Sequence, residues 1–134
     1  MLYTAQYRYP GNDRLDITVK GNNVAGKIYA PTWEMVNKWK VAELSDEDYT
    51  SMYYDLLINR FHNMKDFKET TFKMIDMLCG TNDMPERDLT LVCFCHAGSF
   101  CHRYLFVNWL TFNYPQVKYG GEKKKMSGNE WAVI

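Results

Sequence analysis

Hydrophobic and polar positions alternate most clearly over residues 14–21, where Leu15, Ile17 and Val19 stand between polar neighbours. That period of two predicts a half-buried strand. Upstream, residues 3–9 mix aromatics with small or polar residues and read as a first strand. Pro10-Gly11-Asn12-Asp13 closes it with strong turn chemistry. Gly21 and the two asparagines after it break the second strand. The spacing then becomes helical. Residues 32–40 form a short helix candidate entered from Pro31, with Thr32 as cap. Ser45 to Asp48 resembles a capping box whose acidic residues suit a helix N-terminus. Tyr49, Met52, Tyr53, Leu56, Leu57 and Phe61 follow as a core stripe.

A third helix is expected over about 65–78, with Phe72, Ile75 and Leu78 inward and Gly80 as its stop. Residues 89–95 are uncharged, bulky and bounded by turns, as in a strand buried on both faces of a parallel sheet. A turn over 96–100 leads to a helix over 101–114, whose apolar positions include Leu105, Val107, Trp109, Leu110 and Phe112. Val117 and Tyr119 suggest a last strand closing at Gly120-Gly121, and the lysine run 123–125 reads as a solvated tail. The order strand, strand, helices, strand, helix, strand predicts an α/β fold. We expect a single-domain three-layer sandwich with a mostly parallel central sheet flanked by helices. It spans 1–134, with a core over about 2–122 and a tail over 123–134.

Composition narrows the chemistry. The chain has 134 residues, 46% hydrophobic and 24% charged, which suits one globular domain. Lys plus Arg and Asp plus Glu are balanced at 16 each, which argues against a nucleic-acid partner. No apolar run approaches the ~20 residues of a membrane span, and no secretory leader pattern is visible. A cytoplasmic setting is expected, where clustered cysteines stay reduced. A homo-oligomer is left open.

The chemically richest stretch is residues 93–103, CFCHAGSFCHR. Three readings compete there. A zinc site has enough ligand types in Cys93, Cys95, Cys101, His96 and His102, but the spacing lacks two separated knuckles, so no metal and no cofactor is expected. A thiol enzyme would use Cys101 as nucleophile at a helix N-terminus, with His102 as base. An anion site would use backbone N–H groups of the turn at Gly98 and Ser99 and of Cys101, with His102 and Arg103 as further donors. Arg103 needs a compensating anion at a helix N-terminus, either a ligand or a carboxylate such as Asp16 or Glu122.

Several motifs together resemble a known family. Tyr3 to Tyr7, Ala30-Pro31-Thr32-Trp33, the acidic helix entry with Tyr49 and Tyr53, and the buried strand running into Cys101-His102-Arg103 are similar to the domain of unknown function catalogued as four-eight-eight. The resemblance covers about 2–122. It implies a single α/β domain and places Cys101, His102 and Arg103 opposite Pro31, Thr32 and Trp33 across one pocket, and it supplies no substrate. The expected function is binding of an anionic, nucleotide-like small molecule at this strand–turn–helix site. The ligand set is Gly98, Ser99, Cys101, His102, Arg103, Thr32, Trp33, Tyr3, Tyr7 and Arg8. The alternatives are a cysteine-dependent enzyme using Cys101 and His102, and a structural or partner-binding domain.

Overall fold

The computed structural model of the chain describes residues 1–21 and 23–134, so Asn22, part of the expected break after the second strand, lies outside the described residues. Five strands form one sheet: β1 (Leu2–Gln6), β2 (Arg14–Asp16), β3 (Leu89–Cys93), β4 (Tyr119–Lys125) and β5 (Trp131–Val133). Their spatial order is β2-β3-β1-β4-β5. The pairs β1–β3, β1–β4 and β2–β3 are parallel, and β4–β5 is antiparallel. The chain is thus an α/β sandwich on a mostly parallel sheet, as its pattern predicts.

The helices are α1 (Val24–Lys27), α2 (Trp33–Lys40), α3 (Asp46–Asn63), α4 (Lys65–Cys79) and α5 (His102–Asn113). Their starts follow the sequence. Thr32 accepts from the Met35 N–H and Ser45 from the Asp48 N–H, each satisfying one orphan donor of a first turn. Gly80 stops α4 with φ 77°, a left-handed conformation that glycine adopts without steric cost.

One face of the sheet carries the main core. Leu2, Leu89 and Leu91 meet Tyr53, Leu57, Phe67, Ile75, Phe106 and Leu110 from α3, α4 and α5. Each such apolar side chain, once fully buried, contributes on the order of 1.5–3 kcal/mol. The opposite face is thin: Ala5, Tyr9 and Val92, with Tyr7 and Trp131 packed against them. Asp13, Thr90 and Lys123 form a polar network beside it, with Lys123 Nζ 3.2 Å from Asp13 and 3.0 Å from Thr90.

Several expectations change. The second strand is only three residues long, because Thr18 turns back to cap Asp16 Oδ1 through both its N–H and its hydroxyl. Met52 and Phe72 stand 41% and 46% exposed rather than inward, and Phe112, an apolar position of α5, is 85% exposed. Tyr53, Ile75 and Leu78 are inward as expected, and Leu110 is buried on α5. The lysine run is not a tail: Lys123 to Lys125 lie in β4, paired with β5. Tyr7 and Arg8 fall in the turn after β1 rather than on the strand. Among the described residues, no helix is long and apolar enough to cross a membrane.

Candidate functional site

The carboxyl ends of β2 and β3 open onto one pocket, the position where parallel α/β sheets place ligands. Two connections and two helices enclose it. Thr18, Val19 and Lys20 follow β2; Cys93 to Cys95 and Phe100 to His102 lie between β3 and α5; Trp33, Val36, Trp39 and Lys40 come from α2, and Tyr49 from α3. The cavity holds about 180 Å³. Its aromatic wall is built by mutual contact. Phe100 sits 5.6 Å from Trp39 and 5.3 Å from Tyr49, ring to ring, and Trp39 donates its indole N–H to Asp46 Oδ1 at 2.6 Å. The exposed lysines Lys20 and Lys40 stand at the mouth, and Lys20 Nζ lies 5.7 Å over the Trp33 ring. Among the described residues no carboxylate lines the cavity.

Sulfur forms the base. Cys93 ends β3 and Cys101 immediately precedes α5, and their Sγ atoms are 2.6 Å apart. Period two along the strand brings Cys95 to the side of Cys93, while Phe94 turns out to stack on Tyr7 at 4.2 Å. The three sulfurs all lie within 4.8 Å of one another.

Arg103 organises them from behind. It is fully buried, and its Nε and Nη2 bind Glu122 Oε1 and Oε2 at 3.2 and 2.7 Å, the two-pronged geometry that suits guanidinium and carboxylate. Its Nη1 donates to Cys93 Sγ at 2.9 Å and to the Cys95 carbonyl at 3.0 Å, and Nη2 also donates to Tyr104 Oη at 3.0 Å. Burial works against the guanidinium charge, and Glu122 with the nearby sulfurs more than restores it.

These contacts split the thiols. Hydrogen bonds from Cys101 and Cys95, with the Arg103 charge, pull the Cys93 thiol far below its ordinary value despite burial. Burial, followed by hydrogen bonds and repulsion from the other two sulfurs, pushes Cys101 up. The hydrogen bond from Cys101 favours ionisation of Cys95, but Cys93 and burial outweigh it and hold Cys95 at about 11. Of the three thiols, Cys93 is thus the one whose ionisation its surroundings favour. Burial lowers the His102 pKa, and the Cys93 charge and the Ile17 carbonyl oppose this only in part. His102 Nε2 donates to the Ile17 carbonyl at 2.8 Å, which leaves Nδ1 as an unprotonated acceptor 3.8 Å from Cys101 Sγ.

Of the expected ligand residues, the pocket gathers Trp33, Cys101 and His102. The others lie elsewhere. Arg103 is not free to bind a ligand, because each of its nitrogens is engaged within the protein and Glu122 supplies the compensating anion. Gly98 and Ser99 do not form a cradle. The Gly98 N–H donates to Tyr104 Oη and the Ser99 N–H to the His96 carbonyl, both at 3.1 Å. Thr32 is occupied in capping α2. Tyr3 lies under Lys123 Nζ, and Tyr7 lies under the Arg14 guanidinium at 4.7 Å. Arg8 is exposed in its turn. The thiol lowered in pKa is Cys93 rather than Cys101, chiefly through the hydrogen bonds it receives from Cys101 and Cys95, while burial raises Cys101; Arg103 Nη1 is also nearer to Cys93 than to Cys101, at 2.9 against 3.6 Å. Lys20, Trp39, Lys40 and Phe100 were not foreseen as pocket residues, because sequence does not say which loop or helix end will face the cavity. Comparison with family models, with curated proteins and with solved structures finds no match to this chain.

Proposed function

We propose that the pocket binds a small planar molecule carrying negative charge, nucleotide-like in character, with its ring inside the aromatic wall and its anionic group at the mouth. The carrying observation is the combination of lining and charge: Trp33, Trp39, Tyr49 and Phe100 around the cavity, with Lys20 and Lys40 the charged groups at its opening. Ring stacking of this kind is worth ~1–3 kcal/mol per base. The 180 Å³ volume is below the ~300–1,000 Å³ of drug-sized pockets, so a ring is enclosed while its substituents remain outside. Tryptophan fluorescence titrated with bases, nucleosides and nucleoside monophosphates tests this. Saturable quenching by a phosphorylated ligand is expected, weakened at least ~10-fold by Trp33→Ala and by Lys40→Ala. Quenching of equal strength by nucleoside and nucleotide, unaffected by Lys40→Ala, counts against the anionic part of the reading.

A second reading, cysteine-dependent catalysis, is favoured by the 2.9 Å contact from Arg103 Nη1 to Cys93 Sγ. A thiolate held by a buried cation at the base of a pocket is a competent nucleophile. In that reading Cys93 is the nucleophile, with Cys101 as neighbouring proton donor and His102 Nδ1 as proton acceptor. Alkylation of the folded protein followed by peptide mass mapping separates the two readings. Cys93 modified ahead of Cys79, and protected by ligand, supports chemistry at the site. Cys79 modified first leaves binding alone.

A further inference from the structure

The three-thiol base has a property that neither reading uses. Cys93, Cys95 and Cys101 come from three different backbone settings, a strand end, a bend and a helix entry, yet their sulfurs gather within 4.8 Å. Side chains that merely fill space have no reason to point their most polarizable atoms at one centre. His102 adds a fourth donor of the right kind. Its Nε2–H is fixed on the Ile17 carbonyl at 2.8 Å, which leaves the Nδ1 lone pair 3.8 Å from Cys101 Sγ. Metal-binding histidines are oriented in this way, by donating the remote ring N–H to a backbone carbonyl.

We propose that Cys93, Cys95 and Cys101, with His102 as fourth donor, hold a thiophilic d10 cation of the zinc class at the base of the pocket. With metal–sulfur bonds near 2.3 Å and metal–nitrogen bonds near 2.0–2.1 Å, tetrahedral ligand atoms lie about 3.5–3.8 Å apart. The Cys101–His102 spacing already matches this span. The Cys93–Cys101 pair, at 2.6 Å, opens by about 1 Å to reach it. Three thiolates around a dication leave one net negative charge, and Arg103 donates to two of the three sulfurs, Cys93 at 2.9 Å and Cys101 at 3.6 Å. The pocket supplies the entry path, since all three cysteines line it. Binding is a ligand substitution: the cation exchanges its waters for sulfur and nitrogen, the remaining thiol protons pass to solvent, and no electron moves. Sequence spacing disguises the site because the ligands are one short group, C-x-C followed by Cys-His, rather than two knuckles.

Full-length protein is reduced, freed of metal, incubated with Zn²⁺ or Co²⁺, desalted and assayed by elemental analysis, optical spectroscopy and thiol titration. One ion per chain is expected, with intense near-ultraviolet thiolate-to-cobalt bands and visible bands of tetrahedral cobalt. Of the four cysteines, Cys93, Cys95 and Cys101 become protected from a thiol reagent while Cys79 continues to react. Cys95 is only half-buried, so Cys95→Ser preserves the fold. It lowers affinity by more than the ~10–100-fold typical of losing an outer partner. Cys79→Ser leaves affinity unchanged. Folded, reduced protein that retains no zinc and develops no cobalt bands overturns the proposal. So does equal affinity in Cys95→Ser and Cys79→Ser, or conversion of Cys93 and Cys101 to an intrachain disulfide under conditions that keep Cys79 reduced. An unchanged cobalt spectrum in His102→Gln removes the histidine from the ligand set. Nucleotide quenching that persists in metal-free protein shows the pocket reading standing while this one falls.

Discussion

Glu122 does more for this molecule than its place in a strand of glycines and lysines suggests. It neutralises a guanidinium that has no exposure to water, and that guanidinium in turn holds Cys93. Removing one partner of a buried pair leaves an uncompensated charge, so Glu122→Gln is expected to cost about 3–5 kcal/mol of stability. Urea denaturation measures it, and a loss below about 1 kcal/mol would mean that water reaches Arg103. Asp13 is the second informative carboxylate. Partial burial disfavours its charge, but hydrogen bonds from Thr90, Tyr9 and Lys123, with the Lys123 charge, prevail and lower its pKa. A group whose folded pKa is depressed contributes stability above its unfolded value, near 3.9, and loses that contribution as pH falls through the folded value. Thermal unfolding followed from neutral pH to below pH ~4 is therefore expected to fall less steeply in Asp13→Asn than in the parent chain. Parallel curves would place the acid lability elsewhere.

At the scale of elements, local chemistry made much of the chain legible. The Thr32 and Ser45 hydroxyls cap α2 and α3 where the sequence puts them, and the uncharged run 89–93 is the buried strand it reads as. Thr32→Ala is expected to cost about 1 kcal/mol, seen as a lower denaturation midpoint with unchanged slope. The failures have physical causes. An apolar residue on a helix is inward only relative to a packing direction, and sequence does not contain the direction; hence Phe112 lies 85% exposed three positions from the buried Trp109. The four-residue α1 is too short to leave a periodic signal. Its fit depends on Gly26, where a Cβ would collide with the Asp16 backbone carbonyl. Gly26→Ala is thus expected to push α1 off β2 and shift the neighbouring Thr18–Lys20 wall of the pocket, weakening ligand quenching as well as stability. The site itself was half legible. The Cys-His-Arg cluster announced chemistry, but whether Arg103 faced a ligand or Glu122 depended on a pairing nineteen residues away in sequence.

For the whole molecule, stability is graded across the sheet. Strands β1 and β3 lie at its centre, all five residues of β3 are buried, and each is paired on both sides, while β2 and β5 are three-residue edges. Amide hydrogen exchange is expected to be slowest in β1 and β3, approaching the global unfolding free energy, and to be fast in β5. Comparable protection of β5 and β3 would indicate that the edge hairpin is held by contacts outside this chain.

The interior strand β1 precedes both of its neighbours, β3 and β4, which are more than eighty and one hundred residues further on. During synthesis its backbone therefore emerges from the ribosome with both flanks bare. Arg103 likewise leaves before its counter-ion on β4. Cooperative closure must wait until β4 has been translated, and until then a nascent chain has reason to depend on a chaperone.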